Sequence, residues 1–362
     1  VGGGAMGSGI AALVARKVPV VVKEMNEELA EKAISRIDDS FKRALKAGRI
    51  EEEHYDRLRG SVAATANWAD LSDVNLLIEA VPENMELKKE IFATASLWLP
   101  PDAILASNTS ALSISEMAEK LTPERHPNLL GLHFFNPPTK MQLVEVIAAQ
   151  ETSKEVFEEV EDFARSALGK KTIRVKECPG FLVNRLLMPY LNEAVYGIMN
   201  TELNPMDIDE EATKFGWPVG PFFLMDSLGL DVCAEVADTL CRGYGERVQP
   251  SPLLRKLVDL GRLGQKTGVG FYGGDKTAIE VIEEHFPWAR HGHERISAAH
   301  VFEKMMTEFA KEAALAHKEG IASAEDIETG CLYGIGFPMA HEGPLHWAQA
   351  NNLLEKPIFE TI

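Results

Sequence analysis

The sequence predicts an α/β protein: a Rossmann-type doubly wound sheet followed by an all-α C-terminal region made of two related helical units. Three observations carry that expectation. A glycine-rich turn leads into a helix and a buried strand at 1–24, apolar strand segments alternate with helical ones as far as 177, and a helical pattern recurs beyond Pro179-Gly180. The chain divides accordingly into 1–177, 178–275 and 276–362.

In VGGGAMGSGIA, Gly2, Gly4 and Gly7 fit G-x-G-x-x-G, with Ala5 and Met6 between the last two. Such a turn brings backbone amides and a helix N-terminus against a pyrophosphate. Three glycines alone suit a flexible leader equally well. Here a helix from Ile10 to Lys17 and a buried strand VPVVVKE (18–24) follow in register, and Glu24 lies 20 residues after Gly4, where this fold sets a carboxylate against ribose hydroxyls. That acid repels the extra phosphate of NADP and favours NAD. The turn also requires a strand before it. Only Val1 precedes Gly2, so the first strand is expected upstream, in a longer protein.

Asn26 is placed to cap an amphipathic helix reaching about Ala47, and the charged stretch 48–60 reads as exposed surface. A short strand near Val62, the strand NLLIEAV (75–81), a helix over 86–97 and the strand AILAS (103–107) complete the alternation. Ser113 and Glu116 have capping-box spacing, so a helix starts after SNTSALS. In a doubly wound sheet ligands sit at the carboxyl ends of strands, which puts AVPEN and SNTS at the cofactor edge. Leu129–Phe134 and Met141–Ile147 are strand-like and joined by NPPTK, too short for a parallel crossover, so they pair antiparallel. A helix over 152–168 and a strand over 171–175 close the domain. Beyond it, NEAVYGIMNTELNPMDID (192–209) and KEAALAHKEGIASAEDIE (311–328) align, each followed by a glycine-aromatic-proline turn at Gly216 and Gly336.

The composition is that of a globular protein, 45% apolar and 25% charged, and 37 basic against 55 acidic residues give a net charge of -18. This lacks the basic footprint of a nucleic-acid binder, and an anionic ligand must be met locally. Cys178, Cys233, Cys241 and Cys331 show no C-x-x-C spacing, which suits thiols in a reducing compartment and argues against a metal site. No run reaches the ~18 apolar residues of a membrane span.

Two charged residues stand where apolar ones belong. Glu145 in LVEVI and His133 in GLHFFNP lie in the two antiparallel strands, and pairing about NPPTK sets them opposite each other. Burying the carboxylate alone would cost several kcal/mol. Two readings share this arrangement: a His-Glu general base, or an ion pair that closes a hairpin. Ser107, Asn108, Thr109 and Ser110 either face cofactor and substrate or cap a helix. Asn184, one turn after Gly180, either faces a cleft or is solvated.

At these residues the chain resembles the L-3-hydroxyacyl-CoA dehydrogenases, and more closely the dehydrogenase half of multifunctional fatty-acid oxidation enzymes. GGGAMGSGIA, IEAVPEN, ILASNTSALSI, GLHFFNPP, LVEVI, CPGFLVNRLL and GRLGQKTGVGFY carry the similarity, with the doubled unit ending YGIGFP. The resemblance implies His133 as base with Glu145 as its partner, and Ser110 and Asn184 holding the reacting oxygen. It also implies Gly2, Gly4, Ala5, Met6, Gly7, Glu24, Glu83, Lys88 and Asn108 at the dinucleotide. The implied reaction is NAD-dependent oxidation of (S)-3-hydroxyacyl-CoA to 3-ketoacyl-CoA without metal, in a bacterial cytoplasm, with peroxisome or mitochondrion left open. An upstream enoyl-CoA hydratase domain and a thiolase subunit are the implied partners. Ala111 stands where the family usually has a second serine, and His341-Glu342-Gly343 replaces a glycine-rich turn. A related, short 3-hydroxy-acid dehydrogenase would place a catalytic lysine after a glycine-rich helix start, where CPGFLVNR offers Asn184 and no lysine. A non-catalytic NAD-binding structural protein would show decay of the catalytic set.

Overall fold

The computed structural model describes residues 1–290, 296–354 and 356–359. Part of the expected second helical unit, at 291–295, 355 and 360–362, thus lies outside the described residues. The chain forms two compact units, Val1–Glu177 and Cys178–Ile362.

In the first unit, α1 (Ala5–Val14) begins directly after Gly4, five residues before the start expected at Ile10. The apolar pattern misplaced it because the first turn is built of small residues chosen for close approach. A Cβ on Gly7 would lie 1.8 Å from the Gly2 carbonyl oxygen, and one on Gly9 would lie 3.0 Å from Pro138. β1 (Val20–Lys23) follows, then α2 (Glu27–Lys46), whose N-cap Asn26 accepts from the Leu29 amide at 2.9 Å. The stretch expected to be exposed surface is largely so and forms α3 (Glu52–Gly60), of which Leu58 alone is buried, with Ile37 and Phe41. One apolar anchor in nine residues leaves no periodicity to read.

β2 (Val62–Thr65) pairs parallel with β1. β3 (Leu76–Glu79), α4 (Met85–Ala95), β4 (Ile104–Ser107) and the single turn α5 (Ile114–Met117) come next. β5 (Leu129–Phe134), β6 (Leu143–Ala148), α6 (Lys154–Asp162) and β7 (Lys171–Lys176) complete the unit. The second sheet runs β3-β4-β5-β6-β7, parallel except for β5 against β6. Val1 lies between the two sheets: its nitrogen donates to Ile78 O at 2.7 Å, its carbonyl accepts from Ala80 N at 2.8 Å, and Gly2 N reaches Lys23 O at 3.0 Å. Beneath it, between β1 and β3, is a cavity of about 790 Å³ lined by Val20, Val22, Leu76, Ile78, Ile10 and Val14 among others.

The second unit is helical: α7 (Val183–Asn200), α8 (Pro205–Phe215), α9 (Pro221–Leu228), α10 (Leu230–Tyr244), α11 (Pro252–Asp259), α12 (Ala278–His285), α13 (Ala298–Lys318), α14 (Ala324–Gly330) and α15 (Pro344–Ala350). The repeated sequences become α7-α8-α9 and α13-α14-α15, and their contacts are reciprocal. Arg185 Nε meets Glu312 Oε1 at 2.6 Å, while Lys304, the counterpart of Arg185, meets Glu193, the counterpart of Glu312, at 2.7 Å. A Cβ on Gly216 would lie 3.1 Å from Pro338, and one on Gly336 would lie 3.0 Å from Pro218. Such exchange is the signature of a two-fold interface, here within one chain. No helix among the described residues is long and apolar enough to cross a membrane.

The repeat also conserves a helix cap. Asp209 accepts from the Phe222 and Phe223 amides at the start of α9, and Glu328 accepts from the His346 amide and His346 Nδ1 at the start of α15, both at 2.9 Å. Burial pushes the Glu328 carboxyl up to about 7, against the opposing pull of those His346 contacts. The folded chain then keeps a proton that the unfolded chain releases in the ordinary carboxylate range. This group's contribution is therefore fully present at acid pH and is lost as pH rises toward about 7. Melting temperature followed by circular dichroism is expected to fall in the wild type between about pH 5 and pH 8, and Glu328→Gln is expected to flatten that fall.

Candidate active site

The glycine turn and the β3, β4 and β5 ends form one edge of the first unit. Gly2 adopts φ +90°, and a Cβ there would lie 2.7 Å from Ala80 O. At Gly4 a Cβ would meet nothing within 4 Å, so the backbone faces open space where a pyrophosphate can approach. Gly4 is also the N-cap of α1, and the helix's first amides point into that space. Glu24, directly after β1, accepts from Gly3 N at 2.5 Å through Oε1 and from Met25 N at 3.2 Å, so the acid is tied to the turn. Sequence reasoning missed two residues that hold the turn from outside: Ser8 Oγ and Arg36 Nη1 both donate to Gly3 O at 2.8 Å. Arg36 carried no signal, being one of many charges on α2. These features fit a dinucleotide with a free ribose diol.

His133 and Glu145 are register partners in the β5–β6 ladder. His133 Nδ1 lies 2.6 Å from Glu145 Oε2, with the carboxylate fully buried and the imidazole 5% exposed. A carboxylate at that distance accepts the Nδ1 proton, which leaves Nε2 as the basic nitrogen of the ring. The Phe135 ring, 4.7 Å from the imidazole centroid, restricts its rotation. Asn108 Oδ1, just beyond β4, accepts from Phe134 N at 2.9 Å, which joins the SNTS segment to the strand bearing His133. Pro138, in the turn after β5, lies against Gly9 of α1. The strand bearing the imidazole is thus tied to the SNTS segment through Asn108, and the turn that follows it to α1 through Pro138.

Glu83 and Lys88 sit under the same edge. Glu83 Oε1 accepts from Thr109 Oγ1 and, at 3.0 Å, from Ser110 N. Lys88 is 1% exposed, and its ammonium is engaged by Glu79 Oε1 at 2.8 Å, Glu83 Oε2 at 3.2 Å and Val81 O at 3.3 Å. Glu79 was not singled out from the sequence, although a lone acid in NLLIEAV is the same signal that marked Glu145. Ser113 caps α5 by accepting from Glu116 N at 3.1 Å, while its own hydroxyl donates to Glu177 at 2.6 Å. Asn184 lies in the first turn of α7, in the second unit.

Residues 1–178 match the family described as "3-hydroxyacyl-CoA dehydrogenase, NAD binding domain", and residues 180–274 match the "3-hydroxyacyl-CoA dehydrogenase, C-terminal domain". The chain belongs to the 3-hydroxyacyl-CoA dehydrogenase family. NAD is accordingly the dinucleotide of its glycine turn. The chain is 32% identical over 370 residues to the fatty acid oxidation complex subunit alpha of Pseudomonas syringae, covering 98% of this chain and 50% of that protein. It therefore spans about half the length of that curated relative. Among solved structures it is similar to 3-hydroxybutyryl-CoA dehydrogenase of Escherichia coli, with TM-score 0.83 and 26% identity over 97% of this chain and 90% of that one. It is also similar to (S)-3-hydroxybutyryl-CoA dehydrogenase PaaH1 of Ralstonia eutropha, with TM-score 0.70 and 34% identity over 76% and 97% of the respective chains.

Proposed function

We propose that the chain catalyses the reversible NAD-dependent oxidation of (S)-3-hydroxyacyl-CoA to 3-ketoacyl-CoA, with His133 as general base and Glu145 as its orienting partner. The observation that carries this reading is the 2.6 Å bond between His133 Nδ1 and buried Glu145. In the oxidation direction, Nε2 of His133 takes the proton of the 3-hydroxyl as the C3–O bond becomes a carbonyl. Glu145 holds the ring in the tautomer that makes this possible and offsets the positive charge it acquires. The bound cofactor supplies the acceptor for the hydride leaving C3. Ser110 and Asn184 are assigned to the reacting oxygen and Asn108 to the nicotinamide edge. Gly2, Gly4, Ala5, Met6 and Gly7 are assigned to the pyrophosphate, Glu24 to the adenosine ribose, and Glu83 and Lys88 to the remainder of the dinucleotide. Proton and hydride leave adjacent atoms, so the reaction proceeds with one base and one acceptor.

The resemblance to multifunctional members extends the proposal to a first strand and an enoyl-CoA hydratase domain before Val1, a thiolase subunit as partner, and a cytoplasmic setting. The cavity between β1 and β3, with Val1 hydrogen-bonded to the β3 side and Gly2 to the β1 side, supports the strand.

Loss of absorbance at 340 nm with NADH and acetoacetyl-CoA tests the activity. Turnover with NADH, and much less with NADPH, is the expected result. NADH binding without turnover would favour the non-catalytic NAD-binding protein instead.

A further inference from the structure

We infer that Glu79 is a positioning residue for this reaction, the buried strut that fixes the segment carrying Asn108 and Ser110. The inference rests on the dehydrogenase reading. Glu79 ends β3 at 0% exposure, behind Leu76, Leu77 and Ile78. Strand pairing makes no demand for an acid there. A well-packed apolar residue would hold β3 against β4 at least as well, since a buried ion pair seldom adds net stability.

Each bond of this carboxylate leads toward the site. Oε2 accepts from Ser107 Oγ at 2.6 Å, the last residue of β4. The same hydroxyl accepts from Thr109 N at 3.2 Å, so Glu79 sets the direction of the hydroxyl that in turn shapes 107–109. Oε1 accepts from Val81 N at 2.6 Å, which starts the turn leading to Glu83, and from Lys88 Nζ at 2.8 Å. Lys88 passes the constraint to Glu83, whose other oxygen holds Thr109 and Ser110. The segment is therefore gripped twice, by Glu79 at Ser107 and by Glu83 at Thr109 and Ser110, with one ammonium joining the two grips. Asn108, between them, carries the position on to Phe134 beside His133.

The adjacent lysine provides a contrast. Lys89 is also buried and meets three carboxylates, Glu86, Glu116 and Glu119, within 3.3 Å. All three are themselves well exposed, and none touches residues 107–110. This cluster binds α4 to α5 and the segment that follows it, away from residues 107–110.

Steady-state kinetics on Glu79→Gln, Ser107→Ala and Lys89→Met, with activity normalised to the folded fraction from melting curves, distinguishes positioning from support. Misplacement of the segment by a fraction of an ångström is expected to lower kcat by about 10- to 100-fold in Glu79→Gln and about 10-fold in Ser107→Ala, with the KM for NADH changed less than about 3-fold. Ser107→Ala removes a single hydroxyl and keeps the test open if Glu79→Gln folds poorly. Lys89→Met is expected to melt lower with kcat per folded molecule unchanged. Full kcat in folded Glu79→Gln and Ser107→Ala would overturn the inference while leaving the dehydrogenase reading intact. An inactive wild type would instead overturn that reading, and the inference with it.

Discussion

His133→Gln is expected to lower kcat by about 10³-fold while shifting NADH affinity less than about 3-fold. Glutamine keeps a polar group near Glu145 but has no nitrogen that can take a proton from an alcohol. The size of the effect follows from the site's construction. The imidazole is 5% exposed and its partner fully buried, so bulk water is a poor substitute base. Glu145→Gln should act through the same step with a smaller loss, because a neutral amide can still hold a ring nitrogen but no longer specifies which one carries the proton. Stopped-flow absorbance at 340 nm measures both, and titration of NADH fluorescence verifies that binding persists. Because the two residues act as a unit, the double variant should lose little more than His133→Gln alone.

Gly7→Val should abolish dinucleotide binding, weakening NADH affinity by more than about 100-fold. A Cβ on this residue would lie 1.8 Å from the Gly2 carbonyl oxygen and 3.5 Å from the Ala80 Cβ. Backbone, and no flexible side chain, stands in the way, so α1 must move off the turn. The amides of its first turn then no longer aim where Gly4 leaves space. The same displacement strains the Gly2–Lys23 hydrogen bond, so a lower melting temperature should accompany the loss of binding. Isothermal titration at a temperature where the variant stays folded separates the two effects.

The contrast between Glu145 and Glu79 shows what the sequence made legible at the site. Both are acids in apolar strands, but only Glu145 had a visible partner, because a short link between two antiparallel strands limits which residues face each other. Glu79 meets Lys88 from the following helix and Ser107 from the next strand, contacts set by how three elements pack. No spacing rule encodes those. The same limit explains α1, whose start is fixed by close approach of Gly7 and Gly9 to other segments, and α3, whose one buried side chain is Leu58. The helical unit was legible as a repeat from the alignment of 192–209 with 311–328, but the matching positions of Arg185 and Lys304 and the two-fold packing were not. Which cation meets which carboxylate became apparent only from the packed helices.

The most direct test of the central claim is a crystal structure of the chain with NAD and a 3-ketoacyl-CoA. The account predicts His133 Nε2 within ~3.2 Å of the 3-oxygen, with Nδ1 still on Glu145 and the 3-carbon facing the nicotinamide. A 3-oxygen bound elsewhere, with the imidazole turned from the substrate, would contradict it.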